Sequence, residues 1–144
     1  MSEINYSTDK YELSLFIKAQ AQSYKQALIE KQECKKRGHW IWFIFPQLKG
    51  LGHSPFSEFY GISGKEEAIA YFTHPILGMR LREVTETLLK HKGKSIVDMF
   101  GGIDALKLRS CMTLFDVIAP DDCFRDVLKA FYFDKSDELT LSKL

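Results

Sequence analysis

The chain predicts an all-α fold: a single compact domain built as an irregular array of six or seven helices. Three observations support this. Apolar residues recur at three- and four-residue steps in one segment after another, capping residues, glycines and prolines bound those segments, and no stretch alternates apolar and polar residues as a half-buried strand would. The 144 residues carry no repeat and no Gly-, Ser- or Pro-rich linker, so 1–144 reads as one domain. A chain of this size buries roughly two thirds of its unfolded surface, enough for a core that needs neither metal nor disulfide.

The elements follow in order. Asp9 and Glu12 have capping-box spacing, and Leu13, Phe16, Ile17, Ala21, Tyr24 and Leu28 then mark one face of a helix over about 10–36. Lys35, Lys36, Arg37 and Gly38 suit its C-terminal end, where the carbonyls are exposed. The run His39 to Phe45 has no polar alternation, so it reads as a buried helix or a buried strand, closed by Pro46. Residues 47–54 read as a loop, with a short helical turn from Ser54-Pro55 through Phe59. Ser63-x-x-Glu66 predicts a capping box opening a helix that buries Ala68, Ile69 and Phe72 and stops at His74-Pro75. Leu77, Leu81, Val84 and Leu88 mark the next helix, closed by Gly93. Ser95-x-x-Asp98 opens a short one that ends at Gly101-Gly102. Asp104 is the expected cap of a helix bearing Leu108, Met112, Phe115 and Ile118, ended by Pro120. Asp121 begins the last helix, with Phe124, Val127, Leu128 and Phe131 inward.

Composition removes several function classes. Lys and Arg number 20 against 19 Asp and Glu, with a pI near 7.7, so no global field exists to hold nucleic acid or an anionic membrane. Cys34, Cys111 and Cys123 are odd in number and lack metal-ligand spacing, which suits a reducing cytoplasm and argues against a disulfide framework or a structural zinc. The polar first ten residues do not resemble a signal peptide, and the apolar run at 40–45 is too short to span a bilayer. No phosphate-binding loop, dinucleotide fingerprint or zinc-protease motif occurs, and the four histidines are not at ligand spacing, so neither a cofactor nor a metal is expected.

Three constellations carry the available chemistry. His39 beside Trp40 and Trp42 joins a proton-transfer group to a stacking surface, although core filling and backbone capping explain the same residues. In the segment 104–115, Lys107, Ser110 and Cys111 lie within three or four positions of one another on a helix, with Thr113 three residues past Ser110. A Ser/Lys nucleophile pair is one reading, and an ordinary Asp104–Lys107 surface pair is the other. His74, at the start of the helix that carries Arg80, suits either a first-turn cap or part of an anion site, and Arg80 has the fork geometry for phosphate or carboxylate.

With these segments in view, the chain resembles the bacterial DUF1810 family, a domain of unknown function, over nearly its whole length. The likeness rests on Phe16-Ile17-Lys18-Ala19-Gln20, on His39 to Gln47 with Leu48, Gly50 and Gly52, on His74-Pro75-Ile76-Leu77-Gly78 with Arg80-Leu81, and on Lys107 to Phe115. Gly38 stands where a serine or similar cap often precedes the histidine, and Cys111 stands where a second serine is usual. The resemblance implies a packed domain and no established reaction.

The expectation is therefore a cytoplasmic domain that binds or processes a small planar anion such as a nucleotide or an ADP-ribose-like molecule. Trp40, Gln47, His74, Arg80, Lys107 and Thr113 are expected to bind the ligand, and His39 and Ser110 are the groups available for catalysis. The alternative is a non-enzymatic interaction module, or a homodimer, that uses an exposed aromatic surface.

Overall fold

The computed structural model describes residues 13–21, 24, 45–51 and 60–144. Every named element among them is a helix. Helix α1 covers 14–21, with Tyr24 also helical. The others are α2 (Lys65–Thr73), α3 (Leu77–Leu89), α4 (Ile96–Phe100), α5 (Gly102–Ile118), α6 (Phe124–Phe131) and α7 (Glu138–Ser142). A lone parallel bridge, Leu48 to Ile62, ties the segment before α2 to the chain after Pro46: the Lys49 amide donates to the Ile62 carbonyl and the Ile62 amide to that of Gln47. The remainder of the expected 10–36 helix, the segment 39–44 with His39, Trp40 and Trp42, and the turn near Ser54-Pro55 lie outside the described residues.

Most boundaries follow local chemistry. Ser95 caps α4 by accepting from the Asp98 amide, and Gly93 and Gly101 take the left-handed φ values of 90° and 83° that end the preceding segments. Three expectations are corrected. The box at Ser63 is shifted by one: extended Gly64 takes the N-cap of α2, which makes Glu67 the third helical residue, and its carboxylate reaches back to the Ser63 amide at 2.9 Å. Ile69 is 48% exposed while Tyr71 is fully buried, because the inward face of α2 runs through Glu67, Ala68 and Tyr71. Asp104 lies inside the first turn of α5, whose N-cap is Gly101, and there it complements the helix dipole.

Helix α5 is the axis of the domain and touches α2, α4, α6 and α7. Its Leu108, Met112 and Phe115 are fully buried in one core with Leu77, Leu81, Val84 and Leu88 of α3 and Phe124, Val127 and Leu128 of α6. A chain of tilted and edge-on rings, with centroids 5.1–5.8 Å apart, runs Phe16, Tyr71, Phe115, Phe124, Phe72 and joins α1, α2, α5 and α6. The α2–α3 corner closes tightly because a Cβ built on Gly78 falls 2.0 Å from the Phe72 carbonyl oxygen.

The sequence reading ends with α6, yet α7 follows it. Asp137 caps α7 by accepting from the Thr140 amide at 3.0 Å and the Thr140 hydroxyl at 2.6 Å. Five residues with a single apolar step give too little periodicity to register as a helix; contact with α5 stabilises it instead.

Candidate functional site

Two polar clusters hold the described residues singled out in the sequence. The first lies where α1 meets α2 and α3. On α1, Leu13, Phe16, Ile17, Gln20 and Tyr24 share one helical phase, so Gln20 takes a place where an apolar residue is the norm and is only 1% exposed. Its Nε2 donates to the Tyr71 hydroxyl at 2.9 Å, and its Oε1 accepts from Arg80 Nη1 at 3.2 Å. The Arg80 guanidinium carbon stands 5.1 Å from the centre of the Tyr24 ring. The Tyr24 hydroxyl in turn donates to the Glu83 carboxylate.

Charge in this cluster is asymmetric. Burial pushes the Tyr71 hydroxyl far above the ordinary phenol range, and burial together with the Glu83 bond does the same for Tyr24, so both rings stay neutral. Arg82 and Arg125 each bond a carboxylate, and Arg109 bonds the carbonyls of Lys135 and Ser136. Arg80 makes no ion pair among the described residues and meets α1 through a neutral amide. His74, six residues earlier, uses Nδ1 as acceptor for the amides of Ile76 and Leu77, capping the approach to α3.

The second cluster joins α5 to the C-terminal segment. The Ser110 hydroxyl donates to the Leu106 carbonyl at 3.2 Å and to Asp137 Oδ2 at 3.3 Å. Thr113 donates to the Arg109 carbonyl and accepts from the Asp137 amide at 2.9 Å. Lys107 pairs with Asp104 at 3.4 Å, one turn earlier on the same helix. Tyr132 donates to the Ala105 carbonyl, closing the segment over the start of α5. Ser110 and Thr113 are thus brought together around Asp137, while Arg80 and His74 belong to the α1–α2–α3 cluster. Gln47 is buried, with its carbonyl in the bridge to Ile62. His39 and Trp40 lie outside the described residues.

Sequence reasoning overlooked Gln20 and Tyr71 as polar partners. The available signal was the amide at an apolar phase of α1; Tyr71 gave none, because a core tyrosine and a bonded tyrosine look alike in sequence. Among the described residues, no group of three or more His, Cys, Asp or Glu side chains is placed to hold a metal ion, and no helix is long and apolar enough to cross a membrane.

An all-helical domain with a buried neutral relay ending on an arginine is the class of protein that this fold and site define. The chain belongs to the DUF1810 family, described as proteins of unknown function, whose pattern it matches over residues 10–144. It is similar to a conserved hypothetical protein of Mycobacterium tuberculosis known from a crystal structure, with 44% sequence identity and a TM-score of 0.92 over 94% of this chain and 98% of that one. No curated protein matches it.

Proposed function

We propose that this domain binds a small planar anion, a nucleotide or ADP-ribose-like molecule, in the reducing cytoplasm of a bacterium, with Arg80 as the anion contact. The observation that carries the reading is the setting of Arg80: half-buried, over an aromatic ring, held by a neutral amide and bonded to no carboxylate among the described side chains. Partly desolvated guanidinium is a strong bidentate donor to phosphate or carboxylate, and an adjacent ring face favours a flat ligand. In this reading His74 stands in the same cluster as Arg80, Trp40, Gln47, Lys107 and Thr113 are the further ligand contacts expected from the sequence, and His39 and Ser110 are the groups a reaction would use. Thermal shift tests it. AMP or ADP-ribose raises the melting temperature of the wild type, Arg80→Ala abolishes the shift, and His39→Ala and Lys107→Ala reduce it. If no such anion stabilises the wild type, the reading is wrong.

A protein-interaction role is the second reading, and Phe133 favours it. This ring is 89% exposed on a backbone with φ 57°, a conformation that non-glycine residues seldom adopt. Light scattering that shows a dimer split by Phe133→Ser supports this role; a monomer at all concentrations opposes it.

A further inference from the structure

We propose that Gln20 is a positioning residue that holds the Arg80 guanidinium without bringing an opposing charge to it, so that the guanidinium can meet an anion; this rests on the anion-binding reading of Arg80. Gln20 fills an apolar phase of α1, 51 residues from one partner and 60 from the other, so local helix chemistry does not account for it. A carboxylate of the same shape at this position would make a buried ion pair with Arg80 and cancel its charge. The neutral amide instead satisfies one guanidinium N–H and brings no opposing charge of its own.

Amide orientation decides whether this works. With Nε2 donating to the Tyr71 hydroxyl, Oε1 necessarily faces Arg80; the reverse orientation would set NH2 against a guanidinium, donor against donor. Arg80 makes that choice, because a guanidinium only donates, and the Tyr71 hydroxyl, which can donate or accept, takes the Nε2 bond that remains. The guanidinium is thereby fixed from one side by the amide and flanked by the Tyr24 ring, a preorganised fork.

The test compares AMP with adenosine, which differs by the phosphate, using calorimetry on the full chain. In Gln20→Glu the affinity for AMP falls by about tenfold or more while that for adenosine is unchanged, since one charge-assisted contact is lost. Gln20→Met, which keeps the volume without the bonds, loses less AMP affinity than Gln20→Glu. Equal loss of both ligands in Gln20→Glu, or AMP binding as tight as wild type, overturns the positioning role while the Arg80 reading stands. Wild type that binds no AMP, or Arg80→Ala that binds it unchanged, overturns both.

Discussion

Ser110 and Asp137 are 27 residues apart along the chain and one hydrogen bond apart in space, the hydroxyl of α5 donating to the residue that caps α7. Asp137 Oδ2 also accepts from the Thr140 amide and hydroxyl, so one carboxylate both starts a helix and moors it. Replacing Asp137 by Ala removes the cap and leaves the fully buried Thr140 hydroxyl short of an acceptor, while the buried Ser110 hydroxyl keeps the Leu106 carbonyl, at an expected cost of about 1–3 kcal/mol. Urea unfolding measures the loss, and hydrogen exchange should show it concentrated in residues 138–142. Ser110→Ala is expected to cost less, about 1 kcal/mol, because its hydroxyl makes a second bond within its own helix.

Gly78→Ala is expected to destabilise the protein by about 2 kcal/mol or more, since the new methyl meets the Phe72 carbonyl, which is backbone and cannot swing aside. Gly64→Ala is the control. Its Cβ meets nothing within 4 Å and its φ of 168° is ordinary extended backbone, so the change should cost only the loss of a favoured N-cap residue, about 0.5–1 kcal/mol. Thermal unfolding of the two variants side by side separates the steric effect from the general one.

Arg125 meets Asp116 Oδ2 with two nitrogens, at 3.1 and 2.7 Å, and also reaches Asp134 and the Ser136 hydroxyl. Asp116 is buried on α5, so Arg125→Ala strands a carboxylate there, with an expected loss of about 2–3 kcal/mol. Arg125→Ala with Asp116→Asn should recover part of that loss, and a double-mutant cycle by urea unfolding reads the coupling.

Asp122 supplies a pH dependence. Burial acts to raise its carboxyl, but the Cys123 amide and thiol and the Arg82 guanidinium outweigh this and hold it below the ordinary aspartate value. A depressed folded value stabilises the protein above the unfolded value, about pH 4, and that stability is lost as pH falls through the folded one. Thermal melts of wild type and Asp122→Asn should therefore differ near neutrality and converge in acid. The gap should shrink with salt, because the Arg82 pair is half-exposed.

Burial, with the Asp122 carboxylate beside it, pushes the Cys123 thiol up to about 12, and Cys111 is fully buried. Little of the Cys123 thiol is ionised at pH 8 and Cys111 is out of contact with solvent, so both residues should resist alkylation in the folded protein and react readily in denaturant. Mass spectrometry after iodoacetamide treatment checks this.

Local interactions were legible in the sequence because they act within one or two turns. The apolar steps of Leu77, Leu81, Val84 and Leu88, the cap at Ser95, the helix stop at His74-Pro75 and the Asp104–Lys107 pair all rest on neighbours three or four positions away. The box at Ser63 was misplaced by one residue because Gly64, with its extended backbone, is a cap that carries no side chain to announce it. The C-terminal helix went unseen because five residues carry no period and depend on α5 for stability.

By itself, then, the sequence determined the helical class, most element boundaries, the apolar faces and the family. Only the tertiary structure decided which polar groups meet: Gln20 with Tyr71 and Arg80, and Ser110 and Thr113 with Asp137. The reason is physical. A buried face advertises itself by periodic repetition along the chain, whereas a hydrogen bond between residues 27 to 60 positions apart exists only once hydrophobic packing has brought their helices together.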